Sequence, residues 1–321
     1  MIEQPTTVIL SSEPKQSLDG SDPDAPLEKA ALLDEEVIVL KEQPITSSIR
    51  KSIQHLHRIG GFRARWRGLG ASVVYHIAHV IATNFFSVML LAITPLQRGE
   101  VIAQVVGSVL ASVVLCRLHM TWTHVMISKP SQLPWFKRIP GGRQVFKTLL
   151  LPSLVFAVAQ HVTLIFPIAV FFVTGGAKYT AGEEHVLAVR ALATLAAAAA
   201  TAVLLLLPAS VTLTRIEASL LPEDQDTIVS FDRTLNGAAT SSVTLGPASS
   251  KSLFVEAWRS FDAKARVRLL KFYAKMAMIQ TYILISGAVL IAGEIMLMGP
   301  ERLFTFGKSA HAQVVLMAAG Q

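Results

Sequence analysis

Five imidazoles, an arginine and a tyrosine stand inside stretches that are otherwise apolar, and they are the side chains of this chain with chemistry to offer. Tyr75, His76 and His79 lie together, the two histidines three residues apart on one helical face. Arg117 and His119 follow in a second apolar stretch, and Gln160 with His161 sit near the middle of a third. Ionisable groups at membrane depth are costly, so they turn toward a bundle interior, a partner or a cavity. Two histidines could begin a metal site, but further ligands would have to come from His119, His124 or His161 on other helices. The pattern reads instead as helix-to-helix hydrogen bonding, with no metal and no cofactor. Arg190 and Glu294 stand near span ends, where a long side chain reaches the interface. Arg117 falls well inside its stretch and should seek a carboxylate, a carbonyl or water.

The elements that must position these groups are apolar runs over 71–95, 101–127, 148–173, 185–213 and 272–298. Each exceeds the ~20 residues that cross a hydrocarbon core as a helix, which predicts an all-α polytopic membrane protein with about five spans. A content of 52% hydrophobic and 16% charged residues agrees, because a soluble globular chain carries about 25% charged residues. Basic residues in short loops resist translocation. Arg50, Lys51, Arg58, Arg63, Arg65 and Arg67 precede the first span, Lys129, Lys137, Arg138, Arg143 and Lys147 follow the second, and the segment before the last span is rich in Arg and Lys. The opposite side shows only Arg98, Lys178, Arg302 and Lys308. The N-terminus and the loops at 128–147 and 214–271 are therefore expected on one side, with Gln321 across the membrane.

The net charge of +7 is concentrated in those loops, so it reads as a topology signal with attraction to anionic headgroups, not as nucleic-acid binding. A single cysteine, Cys116, excludes an intramolecular disulfide. Residues 1–45 are acidic and carry prolines at 5, 14, 23 and 26, predicting a disordered tail with at most a short helix near Leu27–Leu40. That segment has neither the apolar core of a signal peptide nor the acid-poor character of a presequence, so targeting is expected to reside in the spans. The stretch 219–255, with Gly, Ser, Ala and Thr from Gly237 to Ser252, is expected to be a flexible loop, and 300–321 a C-terminal tail. The alanines at 196–200 leave little bulk and suit close packing of a neighbouring helix.

Ser47 to Arg58 can form a basic amphipathic helix, and it leads into Gly61-Phe62-Arg63-Ala64-Arg65-Trp66-Arg67-Gly68 and then the first span. Pro208-Ala209-Ser210-Val211-Thr212-Leu213-Thr214-Arg215 closes the fourth span, and Glu256-Ala257-Trp258-Arg259-Ser260-Phe261 with Arg268 to Lys271 precedes the fifth. These strings resemble the mitochondrial carrier family: Gly61, Trp66, Arg67 and Gly68 the entry to an even helix, Pro208 and Arg215 the inner end of an odd one, and Trp258 a further entry. The resemblance implies a carrier-like bundle in the mitochondrial inner membrane. It also implies substrate contacts about two turns into the even helices, which fall on Tyr75 and Lys271. The charged gate positions of carriers are Ser210 and Leu213 here, and the first odd helix is missing, so the expected helix ring is incomplete.

No phosphate loop, His-Glu-x-x-His or Gly-x-Ser-x-Gly motif occurs, and the chain is not expected to be an enzyme. Two functional readings follow. One is a lipid- or partner-binding membrane scaffold, a degenerate carrier relative with an open lateral groove. The alternative is a transporter of a small anionic solute, with Tyr75, His76, His79, Arg117, His161 and Lys271 along its path.

Overall fold

The computed structural model describes residues 7–10, 38–41, 48–93, 99–131, 133–176, 184–235 and 248–299. Two units divide the chain, Met1–Phe261 and Asp262–Gln321. In the first unit two short strands, β1 (Thr7–Leu10) and β2 (Ile38–Lys41), pair antiparallel with Thr7 opposite Lys41. This differs from the disordered tail with a short helix expected there. Val8, Ile9, Leu10 and Ile38, Val39, Leu40 are β-branched or apolar on both sides of the ladder, and such residues favour extended pairing. The remainder of 1–45, and the 300–321 tail, lie outside the described residues.

Everything else described is helical or connecting. An amphipathic helix α1 (Ile49–Gly60) ends where Gly61 adopts φ +63°, and a 3₁₀ turn (Phe62–Trp66) follows. Then come α2 (Leu69–Ile93), α3 (Glu100–Val114), α4 (Cys116–Ile127), a second 3₁₀ turn (Trp135–Arg138), α5 (Arg143–Val173) and α6 (Glu184–Thr201). A π-helical turn (Ala202–Leu206) carries α6 directly into α7 (Leu207–Ser219), and α8 (Ala248–Arg259) closes the unit. The described part of the second unit is one helix, α9 (Ala263–Met298), whose 36 residues would rise about 54 Å. Four of these helical segments are long and apolar enough to cross a membrane, and five if the bent pair α3–α4 counts as one span.

That bend corrects the expected straight span over 101–127. The chain turns by 59° at Leu115, whose φ −90° and ψ 9° leave the helical region. Ser112 donates its hydroxyl to Ser108 O (3.0 Å) just before the break, and such back-bonding loosens a helix ladder. Beyond it, α4 carries Arg117, His119, Thr121, Thr123 and His124, a run that needs polar partners. The far end of the bent pair is tied to the entry of α2, where Arg67 Nη2, two residues before the helix, donates to Val125 O near the end of α4 (3.2 Å).

Further bonds gather the basic loops at that same end. Lys129 N–H donates to Asp226 O (2.8 Å), Ile228 N–H to Ile127 O (2.9 Å), and His55 Nε2 to Ile228 O (3.2 Å). Arg138 Nη2 donates to Ser128 Oγ (2.7 Å) and to Gln225 Oε1. Burial pulls the Arg138 guanidinium below its ordinary value, while Asp224 opposes that shift. Residues 220–235 are thus folded onto the end of the bundle, and 248–259 is a helix, where a flexible loop over 219–255 was expected. The carbonyls of Asp226 and Ile228, the side-chain oxygen of Gln225 and the carboxylate of Asp226 accept bonds from the segments around this stretch. Only 236–247 of it lies outside the described residues.

The apolar core sits at this end too. Cys116, Met120, Leu149, Ile216, Leu235, Leu253 and Ala257 are each at most 1% exposed and pack together from α4, α5, α7, α8 and the loop. Burial of bulky apolar groups drives folding where water is the alternative. Within the lipid layer, close approach replaces it. Ala103, Gly107 and Ala111, four residues apart on α3, are buried against Thr83 and Ser87 of α2. A Cβ at Gly107 would lie 2.9 Å from Thr83 O and would clash with Ser87 Oγ. Ser87 Oγ also bridges the two helices, donating to Thr83 O (2.7 Å) and Ala103 O (3.1 Å).

Candidate functional site

The polar residues of the spans divide between two places in the first unit. At the basic end, Glu217 near the close of α7 is fully buried, and both of its carboxylate oxygens accept hydrogen bonds from α4. His119 Nδ1 donates to Oε1 at 2.6 Å, and Thr123 Oγ1 to Oε2 at 2.6 Å. His124 Nε2, one helical turn on, donates to Glu217 O at 2.7 Å. Three side chains of one short helix therefore converge on one residue of another, which fixes the α4–α7 crossing. A buried carboxylate is tolerable only when its acceptor sites are filled, and these are.

Tyr75 extends this network upward. Its ring lies 5.2 Å from His119, 5.3 Å from His76, 5.8 Å from His79 and 6.0 Å from Trp122, which also meets His119 edge-on at 5.5 Å. The separations fall in the range where aromatic pairs attract beyond simple burial. Gly68, at φ +77°, admits this packing: a side chain there would meet Met126 Cγ at 2.9 Å and the Trp122 ring at 3.2 Å. Tyr75 is therefore part of a packed joint between α2 and α4.

The second place is a groove of about 750 Å³ between α2, α3 and α5. Its polar lining is His79, Thr83, Asn84, Glu100, Gln104, Ser108 and His161, set among valines, leucine and isoleucines. His79 Nε2 shares a hydrogen bond with Ser112 Oγ (2.9 Å), joining α2 to α3 as the sequence reading anticipated. His161 Nδ1 donates within α5 to Ala157 O (2.8 Å).

The five path candidates of the first unit thus do not form one lining. His79 and His161 share the groove, whereas Tyr75 belongs to the aromatic joint. His76 donates Nδ1 to Ser72 O (2.7 Å) and meets Trp122 at 5.6 Å. Arg117 donates Nε and Nη2 to Pro140 O, at 2.9 and 2.6 Å. It lies past the bend and close to the loop before α5, and its partner is a carbonyl, one of the three acceptors expected for it. Lys271 sits on α9 of the second unit.

Of the motif residues, Gly61 and Gly68 supply the positive φ angles flanking the 3₁₀ turn, Trp66 is 62% exposed, and Arg67 is the α2–α4 tie. Pro208 neither ends nor sharply kinks its span. The π turn directly before it absorbs the missing N–H and the ring's clash with the preceding turn, and the helix runs on to Ser219. Arg215 Nη1 donates to Ala257 O and its guanidinium stands 6.0 Å over Phe261, whose ring meets Trp258 at 6.0 Å. The gate positions stay uncharged: Ser210 bonds Leu207 O (2.9 Å) and Leu213 is buried.

Glu217, Thr123, Asn84 and Gln104 were not singled out from the sequence. For Glu217 a signal existed, since it is the sole carboxylate between Glu184 and Glu223. Asn84 and Gln104 are isolated amides in apolar runs and carried the same kind of signal. Neither a family model, nor a curated protein, nor a solved structure matches this chain.

Proposed function

We propose that this is a non-transporting membrane scaffold that holds a lipid in the groove between α2, α3 and α5, with the acidic N-terminal segment and the basic loops available to partners. The supporting observation is the groove itself, which is open and mainly apolar, with no lysine or arginine among its described lining residues. A path for small anions calls for cations along it. Arg117 is committed to Pro140 O and does not line the groove, and the polar cluster at the basic end is closed by its own hydrogen bonds. On the carrier-like strings we place the protein in a mitochondrial membrane, with another intracellular membrane as the alternative, and fractionation separates the two.

The function is tested by reconstituting the full chain into liposomes and screening solute exchange broadly, alongside native mass spectrometry of the purified protein. The expected result is silence in every exchange assay with lipid retained on the protein. Saturable exchange of any anion, lost on Arg117→Leu, would replace this reading with the transporter.

A further inference from the structure

The polar groups of the groove define what its occupant must carry. Glu100 stands at the first turn of α3, at the end of the groove away from the basic loops. Gln104 and Ser108 follow at one-turn intervals down α3, and Asn84 lies on α2 about 13 Å below the end of that helix at Ile93. His161 faces them from α5. Among the described residues the side chains of Asn84 and Gln104 have no hydrogen-bond partner; both are exposed on the open face of the groove, where a bilayer would set them against lipid chains that cannot hydrogen-bond. Two primary amides in that situation call for a ligand with both acceptors and donors.

The histidine narrows the choice. A neutral imidazole has one N–H, and His161 uses it on Ala157 O, so Nε2 is left as an acceptor. A head offering only carbonyl oxygens would leave that nitrogen unmatched; a hydroxyl or an amide N–H matches it. Charge narrows it again. Among the described lining residues the formally charged side chain is the carboxylate of Glu100, which repels phosphate.

We infer that the groove binds an uncharged, hydroxyl-bearing lipid of the diacylglycerol class. Its hydroxyl donates to His161 Nε2, its ester carbonyls accept from Gln104 and Asn84, and its chains lie along Val80, Val105, Leu164 and Ile165. This rests on the lateral-groove reading above.

The experiment uses the full chain in phosphatidylcholine nanodiscs and two photoreactive, clickable probes with identical chains, a diacylglycerol and a phosphatidic acid. The diacylglycerol probe should label peptides from 80–108 or 161–168, be competed by unlabelled diacylglycerol, and lose about tenfold in labelling for Gln104→Leu or His161→Phe at an unchanged melting temperature, the loss expected for one net hydrogen bond. Preferential, variant-sensitive labelling by phosphatidic acid would overturn the neutral class while leaving a lipid-holding groove. Equal labelling by both probes, insensitive to both variants, would overturn the inference and the groove reading together.

Discussion

Replacing Glu217 tests whether the buried carboxylate holds α4 against α7. Glu217→Leu removes an acceptor from His119 Nδ1 and from Thr123 Oγ1 while leaving both donors in a site with no exposure on the carboxylate side. Each stranded donor costs about 1–3 kcal/mol, so the single variant should lose roughly 3–5 kcal/mol. Glu217→Gln keeps one acceptor but turns an amide N–H toward the other donor, and should fall between, at about 1–2 kcal/mol. The triple variant Glu217→Leu, His119→Phe, Thr123→Val removes the donors as well, and should recover much of the loss because no unpaired polar group remains. Denaturant titration in mixed micelles, followed by Trp122 fluorescence, reads all of these. Trp122 stands 5.5 Å from His119, so its emission should shift with the network and not only with global unfolding. A Glu217→Leu loss below about 0.5 kcal/mol, or a triple variant no better than the single, would refute the argument that unpaired donors set the cost.

Gly107→Ala places a Cβ against Ser87 Oγ and Thr83 O, and should cost about 1–3 kcal/mol of overpacking, with Ser87→Ala restoring part of it in the same titration. Arg117→Leu removes two bonds to Pro140 O, a half-buried carbonyl that water can partly serve, so melting should show a loss of only about 1–2 kcal/mol. Pro208→Ala lets an α-helical turn replace the π turn, and stability should stay within about 1 kcal/mol of the parent, since the helix already continues on both sides; a large loss would mean that the π turn itself is required. In a Cys116→Ala background, single cysteines at Ser131 and Glu223 should react with an impermeant maleimide from the same side as an N-terminal tag, and a C-terminal tag should be protected from that side; labelling of the two cysteines from opposite sides would break the α3–α4 span.

Helical class and helices long and apolar enough to cross a membrane were legible in the sequence, because they follow from run length, a property of the chain order alone. The His79 bond across helices was legible for the same reason, as a polar group in an apolar run must find a partner. Which partner each found was not. Arg117 stands on a run that reads as straight through Leu115, whereas the turn of 59° there brings it to Pro140 O. Glu217 lies 94 residues from Thr123 in the chain, and only the folding of α7 against α4 turns a lone carboxylate into the acceptor for two side chains. The loop at 220–235 looked featureless since its order comes from backbone bonds to Ile127 and Lys129, and backbone groups carry no trace in composition. The groove is the furthest from the sequence of all. Its residues come from three helices whose spacing is set by Ala103, Gly107 and Ala111 drawing α3 onto α2, and a space between helices has no residue of its own to announce it.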